Sequence, residues 1–264
     1  MMILENKLLL KISNIAISAG LEAMKFYNSY ISVDKKLDNS PITKADLASN
    51  DLIKKELKKI EGYLPILTEE SLVDWPERKK WNKYWLVDPL DGTKEFINKN
   101  GEFTINISLI ENNKPILGVI YAPALSVLYC AQINFGSLKI KSSNNINNFN
   151  NSKIMSVSCK NIVRILTSRS HANKNVNNWI DEKFKKYELV EKGSSLKFCE
   201  IADGNADIYP RFGPTSEWDI AAGHIILEEA GGFLKDIKGN NIIYNTKASL
   251  INPEFIAFNN SDLI

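Results

Sequence analysis

The chain has 264 residues, a formal net charge of +2, and 44% apolar and 24% charged residues. That length suits one large domain or two smaller units sharing a core, and the composition is globular, which excludes a chain disordered throughout. The near-even charge balance gives no reason to expect nucleic acid or a membrane surface as a partner.

Cys130, Cys159 and Cys199 are far apart, odd in number and form no C-x-x-C pair. They read as reduced, buried thiols of a cytosolic protein. No run approaches the roughly 18 apolar residues of a membrane span. The apolar N-terminus is interrupted by Glu5, Lys7 and Lys11, with no small-residue cleavage pattern behind it. The expected location is therefore cytoplasmic, with a peripheral contact at the inner face of the cell membrane left open.

Leu4, Leu8, Ile12, Ile15, Ala19, Ala23 and Phe26 recur in steps of three and four, which predicts one long amphipathic helix over 3–29. A second helix is expected over 44–60, with Leu47, Leu52, Leu57 and Ile60 facing inward. Thr43 and Asp46 in "TKAD" carry its capping signal. Alternation in "FTINISLI" predicts a half-buried strand, "ENNKP" a turn, and "ILGVIYAP" and "SVLYCAQI" two further strands. An antiparallel sheet packed on the two helices follows.

The Asn-rich run at 141–153 reads as a surface loop or boundary. It divides a unit at 1–153, helices plus antiparallel sheet, from an α/β half at 154–264. In the second half, strands "NIVRILTS", 187–191 and "ADIYPR" alternate with helices at 173–186, "SLKFCEIADG" and "DIAAGHIILEEAGG". Closing strands follow, and Gly231 and Gly232 stop the last helix. The order predicts a layered α-β-α-β-α sandwich of mixed α+β and α/β character.

The chemistry is concentrated in "WLVDPLDGTKEF". Tyr84 to Val87 reads as a buried strand, Pro89 keeps Asp88 extended, and the missing proline N–H is expected to end the ladder there. Asp91-Gly92-Thr93 then opens a short helix. Both carboxylates and the Leu90 carbonyl converge beyond the strand. Close carboxylates repel, a cation relieves them, and an all-oxygen set favours Mg²⁺ over zinc. Amides at the Gly92-Thr93 turn suit a phosphate. A helix-capping turn explains the same residues equally well. Glu69 and Glu70 in "PILTEES", Asp46 in "TKAD" and Asp219 in "EWDIAAGH" extend the acidic set, although each alone has a capping or solvated explanation.

"TKAD", "LTEES", "DPLDGTKEF", "GSSLKFC" and "WDIAAGHIILEEAGG" occur in this order over about 40–232. Together they resemble the inositol monophosphatase superfamily. "LDGTKEFINKNGEFTINI", "GSSLKFC" and "YPRFGPT" are similar to its CysQ-type 3′(2′),5′-bisphosphate nucleotidases. The resemblance implies that family's layered sandwich. It implies two or three Mg²⁺ ions held by Glu69, Asp88, the Leu90 carbonyl, Asp91 and Asp219, with most ligands in 1–153 and Asp219 in 154–264. Glu69 is preferred to Glu70 by its place in the motif. The resemblance further implies that Thr93 and Asp46 orient and deprotonate the attacking water, with no covalent phosphoenzyme.

Substrate contacts are implied at Glu69, Leu90, Asp91, Gly92, Thr93, His171, Ser194, Ser195, Lys197, Arg211 and Asp219. Lys197 and Arg211 are candidates for the second phosphate, with hydrogen bonds from Ser194 and Ser195. An exposed helix lysine, an ordinary surface arginine and a satisfied surface histidine are the plain alternatives for Lys197, Arg211 and His171. His224 and Trp218 read as packing residues. The implied partner is adenosine 3′,5′-bisphosphate, hydrolysed to AMP, with 3′-phosphoadenylyl sulfate a further candidate. Competing readings are the same chemistry on inositol phosphates or fructose bisphosphate, an aspartyl-phosphate enzyme, and a non-catalytic phosphate-binding module. The D-x-x-D spacing opposes the aspartyl-phosphate reading, and the Asp46–Thr93 pair opposes the binding module.

Overall fold

The computed structural model describes residues 2–27, 33–35, 41–60, 62–149, 153–156, 162–169 and 174–264. Cys159 and His171 lie outside the described residues. The first helix, α1 (Met2–Tyr27), matches the apolar period. Leu9, Ile12, Ala16, Ala19 and Ala23 are buried along it. Gly20 lets it lie close on the sheet, since a Cβ there would stand 2.6 Å from the Tyr121 ring.

Two short strands, β1 (Val33–Lys35) and β2 (Pro41–Thr43), pair and lead into α2 (Lys44–Leu57). A complete capping box of Thr43 and Asp46 starts α2. One expectation fails here: Leu47 is 48% exposed. The buried face of α2 is Ala45, Asp46, Ser49, Asn50, Ile53 and Leu57. At about 100° per residue, Leu47 falls about 100° from Asp46, off that stripe.

Next come β3 (Ile66–Thr68), α3 (Trp75–Arg78), β4 (Lys83–Asp91), α4 (Thr93–Ile97), β5 (Thr104–Glu111) and β6 (Lys114–Ala122). β7 (Val127–Gln132), β8 (Gly136–Lys141) and β9 (Lys153–Ile154) complete a seven-stranded sheet ordered β3 to β9. β3 and β4 are parallel and the other neighbours antiparallel. The β5–β6 hairpin turns at Asn112 and Asn113, both at positive φ (51° and 63°), as a tight primed turn requires.

β5 is not half-buried, as its alternation suggested, but buried on both faces along Thr104–Ile110. Ile105, Ile107 and Leu109 join the cluster under α1. Thr104, Asn106 and Ser108 are buried on the other face. The second cover comes from a helix far along the chain, which period alone cannot reveal. Of the Asn-rich run, residues 142–149 form an irregular, mostly exposed segment. Asn14 pins it through both backbone groups of buried Ile146.

The second half contains β10 (Val163–Ser168), α5 (Lys174–Lys183), β11 (Tyr187–Lys192), α6 (Leu196–Ala202), β12 (Ile208–Arg211), α7 (Glu217–Glu229), β13 (Phe233–Asp236) and β14 (Phe255–Phe258). Its five-stranded sheet is ordered β11-β10-β12-β14-β13. β10 is parallel to β11 and β12, whereas β14 is antiparallel to β12 and β13.

The layers are α1 with α2, the seven-stranded sheet, α6 with α7, the five-stranded sheet, and α5. This is the expected layered order. α7 packs tightly on β6 at Gly118, where a Cβ would stand 2.4 Å from Ile225 Cγ2 and 2.7 Å from the Ala222 carbonyl. One cluster joins Leu67, Tyr84 and Leu86 to Phe198, Ile220 and Phe255. Each half thus finishes the core of the other.

Candidate active site

Asp88 pairs with Asn106 and Asp91 with Thr104, so three steps on β4 oppose two on β5. This is a one-residue bulge at Pro89-Leu90. The ladder therefore does not end at Pro89, as its missing N–H suggested; the proline is accommodated in the bulge. In a regular strand, residues three apart face opposite sides. The extra residue returns Asp91 to the side of Asp88, and both border one cavity. Ser49 Oγ holds the Pro89 carbonyl at 2.6 Å, and the Leu90 amide donates to Asp88 Oδ1 at 3.0 Å.

Gly92 caps α4 at φ 88°. A Cβ there would meet the Glu102 carbonyl at 3.2 Å and Ser194 Cβ at 3.3 Å, so both conformation and space demand glycine. The first amides of a helix lack intrahelical partners, and Gly92 and Thr93 border the cavity.

That cavity has a volume of about 310 Å³. Glu69, Asp88, Leu90, Asp91 and Asp219 all border it; Glu70 does not. Glu69 arrives just after β3, its amide bonded to the Val87 carbonyl at 3.1 Å. Asp219 arrives on the first turn of α7, where its Oδ2 accepts the Ser216 amide at 2.8 Å.

Burial pushes the Asp88 carboxyl well above its usual range, and the charges of Glu69, Asp91 and Asp219 push it further. Burial, then Asp91 and Glu69, do the same to Asp219. Asp91 is raised to about 6, chiefly by burial, against the opposing charge of Lys197 and the Ser195 amide. The three aspartates share a pattern. One oxygen is fixed by a backbone amide: Leu90 on Asp88, Ser195 on Asp91, Ser216 on Asp219. Among the described residues no backbone amide bonds Asp88 Oδ2, Asp91 Oδ1 or Asp219 Oδ1. Anchored, mutually repelling, all-oxygen donors fit a hard divalent cation. Among the described residues no three acidic, cysteine or histidine side chains close into a finished cage.

Asp46 is buried beside this set. Its Oδ2 accepts the Thr43 amide (2.8 Å) and hydroxyl (2.6 Å), and its Oδ1 accepts the Thr93 hydroxyl at 3.2 Å. Capping and the contact with Thr93 use different oxygens of one carboxylate. Desolvation raises the Asp46 pKa, partly offset by the Thr43 and Thr93 hydrogen bonds.

Lys197 is not an exposed helix lysine. It is 6% exposed, donates to the Ser194 and Lys192 carbonyls at 2.7 and 3.3 Å, and lies 5.2 Å from the Tyr209 ring centroid. Arg211 donates to Ser168 Oγ and the Pro214 carbonyl at 3.0 and 3.1 Å. Arg211 Nε and Ser194 Oγ are buried with no hydrogen-bond partner among the described residues. Ser195 is engaged inward: its amide holds Asp91 Oδ2 at 2.6 Å, and its hydroxyl meets Asn106 Oδ1 and Thr104 Oγ1, each at 2.8 Å. His224 is buried between Tyr244 and Glu228, away from the cavity. Trp218 packs against the core cluster around Ile220.

Sequence reasoning passed over several neighbours. Asn106 and Thr104 lie in an apolar strand and gave no signal beyond their polarity. Buried Glu95 borders the cavity and stood in the quoted "TKEF". Glu102 and Arg169 meet across 67 positions, a pairing no local pattern announces. Glu217 accepts the Asn245 amide on both oxygens at 3.0 Å, and Arg78 reaches the Asn245 side chain at 2.7 Å, which braces the turn before Asp219.

Comparison with known proteins gives a consistent picture. A model of the inositol monophosphatase family matches residues 6–261. The chain is 48% identical over 255 residues to a 3′(2′),5′-bisphosphate nucleotidase CysQ of Buchnera aphidicola, covering 95% of this chain and 93% of that protein. It is 40% identical over 247 residues to the CysQ of Escherichia coli K12, covering 93% and 97%. The crystal structure of CysQ from Bacteroides thetaiotaomicron superposes with a TM-score of 0.86 at 36% identity, over 96% of this chain and 97% of that one. A match along nearly the whole chain, in sequence and in fold, means that this protein belongs to the inositol monophosphatase family.

Proposed function

We propose that the chain is a Mg²⁺-dependent phosphatase that removes the 3′-phosphate of adenosine 3′,5′-bisphosphate, giving AMP and phosphate. 3′-Phosphoadenylyl sulfate is a second substrate on this reading. The observation that carries it is the Thr93–Asp46 hydrogen bond beside Glu69, Asp88, Asp91 and Asp219, which border one cavity. The names of the CysQ relatives support the choice of substrate. The two buried free thiols, Cys130 and Cys199, support a cytoplasmic location.

Glu69, Asp88, the Leu90 carbonyl, Asp91 and Asp219 would hold two or three Mg²⁺ ions. When bound, Mg²⁺ supplies Lewis-acid polarisation and makes water a stronger acid. The Thr93 hydroxyl orients the attacking water and relays its proton to Asp46. A carboxylate of raised pKa is a better base for that step. The amides of Gly92 and Thr93 donate to the phosphate being cleaved. Lys197 and Arg211 set positive charge against the second phosphate, and Ser194 Oγ and Arg211 Nε, without a partner among the described residues, are donors in waiting. Ser195 and His171 complete the proposed substrate set.

Phosphate release is measured with adenosine 3′,5′-bisphosphate, inositol 1-phosphate and fructose 1,6-bisphosphate, each with Mg²⁺ and with EDTA. The expected result is Mg²⁺-dependent turnover fastest on the nucleotide and abolished by Asp88→Asn. Full activity in EDTA, or preference for either other substrate, overturns the reading.

A further inference from the structure

Lys197 and Arg211 are both held by the chain: Lys197 against two carbonyls and near Asp91, Arg211 against Ser168 and Pro214. Arg169 differs. Its side chain is 43% exposed. It stands where the main cavity joins a second cavity of about 200 Å³, the two sharing Ser168, Arg169 and Arg211.

Arg169 Nε and Nη2 each reach a different oxygen of Glu102 at 3.2 Å. This is the forked geometry with which guanidinium holds a carboxylate or a phosphate. Both contacts are longer than the roughly 2.7–2.9 Å of a tight charge-assisted bond. Nη1 lies 3.7 Å from Glu191, a half-made pair. Glu102 keeps other partners if the fork leaves, since it accepts the Gly193 amide at 2.8 Å and lies 3.9 Å from Lys192 Nζ. A phosphate monoester brings nearly two negative charges and three acceptor oxygens, against one charge and two oxygens on Glu102.

We infer that Arg169 is a specificity-determining residue for the substrate's second phosphate, and that the Glu102 carboxylate stands in for that phosphate when the site is empty of nucleotide. The inference rests on the bisphosphate-nucleotide reading above. Arg169 leaves a loose intramolecular fork and gains a stronger one. The exchange favours ligands that carry a phosphate away from the cleaved position.

The test compares binding of AMP, which retains only that second phosphate, with binding of inorganic phosphate, both by calorimetry in Mg²⁺. Arg169→Ala is expected to lower the ratio of AMP to phosphate affinity at least tenfold. Arg169→Lys, which keeps the charge without the fork, is expected to lower it about threefold or more. A ratio within twofold of wild type in the alanine variant, parallel loss of both ligands, or no AMP binding by the wild-type protein overturns the inference. Phosphate release by the wild-type enzyme decides the underlying reading separately.

Discussion

The Ser195 amide donates to Asp91 Oδ2 at 2.6 Å, joining positions 104 residues apart. The turn before α6 thus sets the orientation of a carboxylate on β4. The Ser195 hydroxyl continues inward to Asn106 and Thr104. Ser195→Ala keeps the amide and strips a buried partner from Asn106. It is expected to destabilise the protein by about 1–3 kcal/mol in urea unfolding. No change in stability would mean that the hydroxyl network is idle.

Thr93 and Asp46 form a separate pair with a separable readout. Thr93→Ala and Asp46→Asn are each expected to lower kcat by about 10²- to 10⁴-fold, the range of general acid–base contributions. KM should change far less, because neither change removes a contact to the second phosphate. Steady-state kinetics checks this; a rise in KM with kcat intact would assign the pair to binding instead.

Asp88 is costly to bury, a cost that the proposed metal site would explain. Its carboxyl is buried among like charges, so neutralising it removes repulsion. Asp88→Asn is therefore expected to raise the Tm of the protein in EDTA, at about 2–4 °C per kcal/mol. The same change should abolish turnover and shrink the Tm rise produced by Mg²⁺. Calorimetric scans of both proteins with and without Mg²⁺ test it.

The acidic set also fixes the sign of the pH dependence. Asp91 is raised to about 6, and Asp88 and Asp219 are raised well above their usual range. In EDTA the folded state thus binds more protons than the unfolded chain above about pH 4. The stabilisation is fully present below that pH and is lost as pH rises through 6 and beyond. Metal-free Tm is expected to fall between pH 5 and 8, and saturating Mg²⁺ to flatten the fall. A metal-free Tm that climbs over this interval contradicts the arrangement of charges.

The acids that line the cavity could be picked out in advance because carboxylates at the ends of apolar runs are conspicuous. The long helix α1 and the strands β5 to β7 followed from their periods and turns, and the capping box at Thr43 and Asp46 was visible in four letters, whereas β1, β2, α3, β8 and β9 gave no such signal. What stayed hidden depends on partners far along the chain. Burial of Asn106 needs cover that the period of β5 does not contain. The inward turn of Lys197 depends on the carbonyls of its own preceding loop. Leu47 looked like core because it is leucine; rotation around the helix axis, set by Asp46 and Ile53, put it outside.

The bulge on β4 makes chain length between Asp88 and Asp91 a tuned quantity. Two acids separated by one residue would also share a side on a flat strand, with one main-chain carbonyl fewer between them. The added residue preserves the common side and brings Leu90 to the same cavity as both acids. Removing Pro89 alone is therefore expected to keep both acids on one side while displacing the Leu90 carbonyl, the neutral ligand of the proposed function, a surgical way to ask what that single oxygen contributes.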